Sequence, residues 1–151
     1  MARLWLMMAL LAAAPSTAAE TVFLVRHAEK ADKSEDPPLS KAGQARAEKL
    51  AAMLRDSGIR AIFVTQYRRN AETAGPLAKL LHLVPQVVPS GEVAALVEKI
   101  RAEKGRVLVV GHVDTVPKIV AALGGPSFTL GDPDYDNLFV LVATTLVRLH
   151  F

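Results

Sequence analysis

Short apolar runs alternate along the chain with amphipathic stretches. Val22, Phe23, Leu24 and Val25 make the first run, Ala61 to Thr65 (AIFVT) the second and Arg106 to Val110 (RVLVV) the third. Such β-rich runs, uninterrupted by polar residues, predict short strands buried on both faces. Between them the apolar positions recur at helical spacing. Ala47, Leu50, Ala51 and Leu54 place one stripe on a helix from Ser40 to Asp56, with Ser40 as its cap and Gly58 past its end. A second helix is predicted from about Arg69 to His82, and Gly75-Pro76 is expected to bend it or tighten its first turns. Gln86 to Val88 reads as a weak strand, and Glu92 to Glu103 as a helix with Val93, Leu96, Val97 and Ile100 on its inner face. Val116 to Leu123 reads as a helix that has Pro117 in its first turn and ends at Gly124-Gly125. Leu138 to Ala143 and Thr145 to Leu149 predict a hairpin at one edge.

Alternating strands and helices imply an α/β protein: a three-layer α/β/α sandwich with a mainly parallel sheet and an edge hairpin. No repeat, low-complexity tract or linker divides the chain after its first residues, so one domain, 20–151, is expected.

The N-terminus changes the picture of the 151-residue chain. Residues 1–19 hold one cation, Arg3, an apolar run from Leu4 to Ala14, and then small residues up to Ala18 and Ala19. This is the pattern of a secretory signal, too short in its apolar part to remain as an ordinary anchor. Cleavage after Ala18 or Ala19 is expected, giving a secreted or periplasmic protein with no stable membrane anchor. With no Cys, the chain has neither a disulfide, a Cys-based metal site nor a lipoprotein acylation point. The formal charge of +3 falls to +2 once Arg3 is lost. No Lys/Arg run interleaved with aromatics is present, so nucleic-acid binding is not expected.

Polar groups gather where the apolar runs stop. Arg26-His27 follows the first strand, Thr65 and Arg68-Arg69 the second, and His112 the third. In a parallel sheet these three ends lie on one edge, where ligands bind in open α/β folds. Two histidines and two or three arginines in one pocket repel one another unless an anion fills it, and the planar guanidinium suits phosphate oxygens.

Four segments, LVRHAEK, DPPLSKAGQARA, VTQYRRNAETAGPLA and VLVVGHVDTVPKIVAALGG, resemble the histidine phosphatase superfamily in its phosphoglycerate-mutase-like branch, across essentially all of 20–151. The Arg-His-Gly signature appears as Arg26-His27-Ala28. The Ser-x-x-x-Arg-x-x-x-Thr segment appears as Thr65, Arg69 and Thr73, which selects Arg69 over Arg68, and His112 matches the second histidine. The resemblance implies a phosphomonoesterase in which His27 is the nucleophile and forms a phosphohistidine that water hydrolyses. Arg26, Arg69 and His112 would bind the phosphate, with no metal and no cofactor required. Nearby arginines would keep His27 neutral, because they disfavour its cationic form. The branch usually supplies a Glu as proton donor. Glu92 is the candidate by position and Asp114 the rival, while Glu92 equally suits the first turn of a helix for dipole reasons.

Two other functions stay open on these residues: a non-catalytic phosphate-ligand binding module, and a phosphomutase. The expected partner is a phosphorylated small molecule, glycan or protein side chain. His82 and His150 read as structural, and Glu29 and Lys30 as paired with each other or with the pocket rim. Asp132, Asp134 and Asp136 start like a calcium loop but lack its later Gly and Glu, so they read as a solvated turn.

Overall fold

The computed structural model describes residues 19–151. In chain order these form β1 (Ala19–Arg26), α1 (Lys41–Leu54), β2 (Ile59–Val64), α2 (Arg68–Leu81), β3 (Gln86–Val87), α3 (Val93–Ala102), β4 (Gly105–Gly111), α4 (Thr115–Ala122), β5 (Asn137–Val142) and β6 (Thr145–His150). One sheet takes all six strands in the order β3-β2-β4-β1-β5-β6. The first four in that order are mutually parallel; β5 runs antiparallel to β1, and β6 antiparallel to β5 as the edge of the hairpin.

The period-two alternation of each strand feeds two cores. Val22, Leu24, Phe63, Val107 and Val109 pack with Leu96, Val97 and Ile100 of α3 and with Val116, Ile119 and Val120 of α4. Val25, Ile62, Val64, Leu108 and Val110 pack on the other face with Leu50, Ala51 and Leu54 of α1 and with Ala74, Leu77 and Ala78 of α2. The result is the three-layer α/β/α sandwich expected from the pattern. Because β1, β2 and β4 are parallel, the residues after them emerge on one edge.

Local chemistry fixes how α1 meets that edge. Ser40 caps the helix by accepting from the Gly43 amide at 3.1 Å, and the Ser40 amide donates to the Glu29 carbonyl at 2.9 Å. Gly43 is required here, since a Cβ would overlap the Glu29 carbonyl oxygen. Glu29 pairs with neither Lys30 nor the pocket. Arg46 of α1 takes it instead, donating from Nε at 2.9 and 3.0 Å and from Nη2 at 2.7 Å.

Two boundaries differ from the sequence pattern. Helix α2 runs unbroken through Pro76, because Ala74 and Leu77 on either side of it are fully buried against the sheet and hold the turn. Strand β1 begins at Ala19, which pairs with Gly105. A cut after Ala18 would keep that pair and a cut after Ala19 would remove it. The rest of the expected signal segment lies outside the described residues.

Candidate active site

His27 leaves the end of β1 buried, and its backbone amide donates to the Gly111 carbonyl at 2.9 Å, so the β1–β4 ladder continues through it. The ring Nδ1 is 2.8 Å from the Ala28 carbonyl oxygen. A carbonyl only accepts, so Nδ1 carries the proton and the lone pair is on Nε2. Burial lowers the pKa of His27 to about 3, helped by the charges of His112, Arg69 and Arg26 and opposed by the Ala28 hydrogen bond. The ring is therefore neutral at pH 7 and offers Nε2 as a nucleophile.

The turn carrying His27 is tied to α2 by one atom. Thr73 Oγ1 accepts from the Ala28 amide at 2.9 Å and donates to the Arg69 carbonyl at 2.6 Å. Asn70, wholly buried, joins the same helix to β4 by donating from Nδ2 to the Val110 and Gly111 carbonyls at 2.9 and 3.2 Å.

His112 follows β4, and its amide donates to Thr115 Oγ1 at 2.9 Å, which sets the entry of α4. Its Nε2 lies 2.9 Å from Thr65 Oγ1, after β2. That hydroxyl can donate or accept, so either ring nitrogen of His112 can hold the proton. The two imidazoles stand edge to face with centroids 5.3 Å apart. Burial, with Arg69 and Arg26 adding to it and Asp114 opposing it, lowers His112 to about 4.

The two arginines of the helix start diverge as adjacent helical positions must. Arg68 points outward, 59% exposed, and pairs with Glu72 at 3.1 Å. Arg69 lies over the Tyr67 ring at 4.2 Å from its centroid and lines a cleft of about 530 Å³ together with Tyr67 and His112. Arg26 is buried, and its terminal nitrogens are engaged by the 131–135 segment. The buried side-chain atoms with no hydrogen-bond partner among the described residues are Arg26 Nε, Arg69 Nε and Asn70 Oδ1. The first two are cationic donors beside a neutral imidazole, an arrangement suited to an oxyanion.

A family model described as histidine phosphatase superfamily (branch 1) matches residues 22–90, the span that carries His27, Arg69 and Thr73. That match, together with the fold, supports the assignment to the histidine phosphatase superfamily. Solved structures share its fold. The protein histidine phosphatase SixA complexed with tungstate superposes with a TM-score of 0.68 at 22% identity, covering 86% of this chain and 96% of SixA. A mycobacterial glucosyl-3-phosphoglycerate phosphatase gives a TM-score of 0.59 at 15% identity, over 87% of this chain and 98% of the other. A search of curated proteins found no match.

Arg26, His27, Arg69 and His112 come together at the strand ends, and Glu92 lies between Gly91 and Val93, which line the cleft of Arg69 and His112, without lining it itself. Glu92 is exposed at the start of α3, makes no side-chain cap hydrogen bond, and borders an apolar crevice beside Phe63, Val88 and Leu96. Asp114 does line the cleft of Arg69 and His112, exposed and 3.4 Å from Lys118 Nζ. The sequence pattern missed Asn70, Tyr67 and Tyr135. Asn70 carried a signal, a polar residue on the inward stripe of α2; Tyr135 carried none, and the segment read as a solvated turn in fact holds Arg26.

Proposed function

We propose that the protein is a phosphatase that passes a phosphoryl group to Nε2 of His27 and then to water. The observation that carries this reading is the free Nε2 of a neutral His27 beside two buried guanidinium Nε–H donors without acceptors. A buried donor left unpaired costs about 1–3 kcal/mol, more when charged, and a phosphoryl oxygen would satisfy both. In the first step the Nε2 lone pair attacks phosphorus as the bond to the leaving group breaks, with negative charge held by Arg26, Arg69 and His112. In the second, water attacks the phosphorus as the P–N bond breaks, the electron pair of that bond returns to Nε2, and the water's proton passes to an oxygen of the departing phosphate. The guanidinium groups supply the positive charge, so no step calls for a metal ion.

The proton for the leaving group decides the substrate class. Asp114 is the one carboxyl lining the cleft among the described residues, and it is exposed and paired with Lys118. A site with so loosely held an acid suits groups that depart without help. Aryl phosphates are of this kind, and so is phosphohistidine, whose imidazole leaves neutral once its other nitrogen is protonated. The protein histidine phosphatase SixA shares the fold and supports this choice.

A leaving-group series tests it. Aryl phosphate and a phosphohistidine peptide should turn over at least ~10² faster than an alkyl phosphate, the span a well-placed general acid typically removes. Equal rates across the series would mean an acid placed elsewhere. Vanadate binding with no turnover of any substrate would favour the binding module; isomer formation without phosphate release would mean a mutase.

A further inference from the structure

We propose that Tyr135 is a positioning residue for this reaction: with the carbonyls of Gly131 and Asp132 it fixes the terminal nitrogens of Arg26, so that this arginine presents its unpaired Nε–H to the phosphoryl group. The inference rests on the reading of Arg26 as a phosphoryl ligand, and it concerns a segment more than a hundred residues away in sequence.

A guanidinium has five N–H donors in one plane. In Arg26, Nη1 donates to the Asp132 carbonyl at 2.6 Å and to the Gly131 carbonyl at 3.2 Å, and Nη2 donates to the Tyr135 hydroxyl at 3.2 Å. The guanidinium carbon also lies 4.0 Å from the centroid of the Tyr135 ring. The Asp132 carboxylate adds little, since it is 96% exposed and 3.8 Å away. Nε is left buried and unpaired.

The clamp is itself braced. The Asp134 carboxylate accepts from the Gly131 amide at 2.6 Å, and the Tyr135 amide donates to the Pro133 carbonyl at 2.9 Å. Tyr135 stands next to the nucleophile, with its ring centroid 6.2 Å from that of His27. Arg69 has a different support: it lies on Tyr67 and borders the open cleft, and among the described residues its terminal nitrogens have no hydrogen bond to hold them. One arginine is thus locked and the other adjustable. A donor locked in place costs no reorganisation when charge develops, so its contribution falls in the transition state more than in substrate binding.

The test is a double-mutant cycle on the full chain with an aryl phosphate, pairing Tyr135→Phe with Arg26→Met, an apolar replacement of similar length for a buried arginine. Tyr135→Phe keeps the ring and loses the hydroxyl. It should lower kcat by about 10–100-fold, the worth of one hydrogen bond to a charged group, while KM moves by less than about threefold. In the Arg26→Met background the same substitution should do nothing further, because Tyr135 acts through Arg26. Unchanged kcat in Tyr135→Phe, or the same loss in both backgrounds, would overturn the proposal. If the wild type turns nothing over, the phosphatase reading fails on its own. The clamp is then read from nitrogen-resolved NMR of the ligand-free protein, where the Arg26 Nη protons should be resolved and slowly exchanging in the wild type and averaged in Tyr135→Phe. Identical Arg26 signals in the two proteins would overturn it there.

Discussion

Arg68 and Arg69 carry the same charge, and only the turn of the helix separates them. Arg69→Ala should lower kcat/KM by about 10²-fold or more, since it removes a charge-assisted contact to the transferring group. Arg68→Ala gives up an exposed i,i+4 pair with Glu72, worth a few tenths of a kcal/mol, and should leave turnover within about twofold. Equal losses would mean that both side chains reach the phosphoryl group. The two site histidines have a pH signature of their own. Their pKa values fall from 6.5 to about 3 for His27 and about 4 for His112, so between those values and 6.5 the unfolded chain binds more protons than the folded one. Their contribution to stability is fully present above pH 6.5 and is lost as pH falls towards 4 and then 3. Ring NMR should find both imidazoles neutral at pH 5 in the free protein, and vanadate should move their titration upward by adding negative charge beside them. A titration near 6.5 without ligand would contradict the buried site. Arg26, His27, Arg69 and His112 were legible in the sequence because each abuts an apolar run or a spaced motif. Tyr135 was not, because its partner is brought to it only by the folded chain.

At the level of elements, the core strands were plain from their apolar runs, and the start of α1 from Ser40; its C-cap is Arg55, three residues before Gly58. Strand β3 has two exposed residues and no core face of its own, which is why Gln86 to Val88 gave so weak a pattern. The continuity of α2 through Pro76 could not be read locally, since the burial of Ala74 and Leu77 that holds it is a property of the packed sheet. Gly43 shows the opposite case, a residue with an ordinary helical setting whose requirement comes from a neighbour. Gly43→Ala forces α1 away from the Glu29 backbone, two residues from His27. Helix propensity alone would favour the alanine by about 1 kcal/mol, yet the overlap is with backbone that cannot swing aside. The variant should unfold about 1–3 kcal/mol more easily in urea and lose turnover as well. Gain of stability would show that the loop after β1 yields without cost.

For the whole molecule, three parallel strand ends bring His27, Arg69 and His112 together from positions 85 residues apart at the extremes, and a fourth connection reaches over to lock Arg26. The layered architecture was legible because the alternation of strand and helix admits few arrangements; the clamp was not, because the connection between α4 and β5 has no periodicity to read. The central claim is that Nε2 of His27 accepts the phosphoryl group, and trapping that intermediate tests it most directly. The full chain, mixed with a radiolabelled aryl phosphate and quenched in denaturant, should carry a label that survives base and is released by mild acid, as a phosphoramidate does, and that is absent from His27→Ala. A label of equal amount in His27→Ala, or one that resists acid, would contradict it.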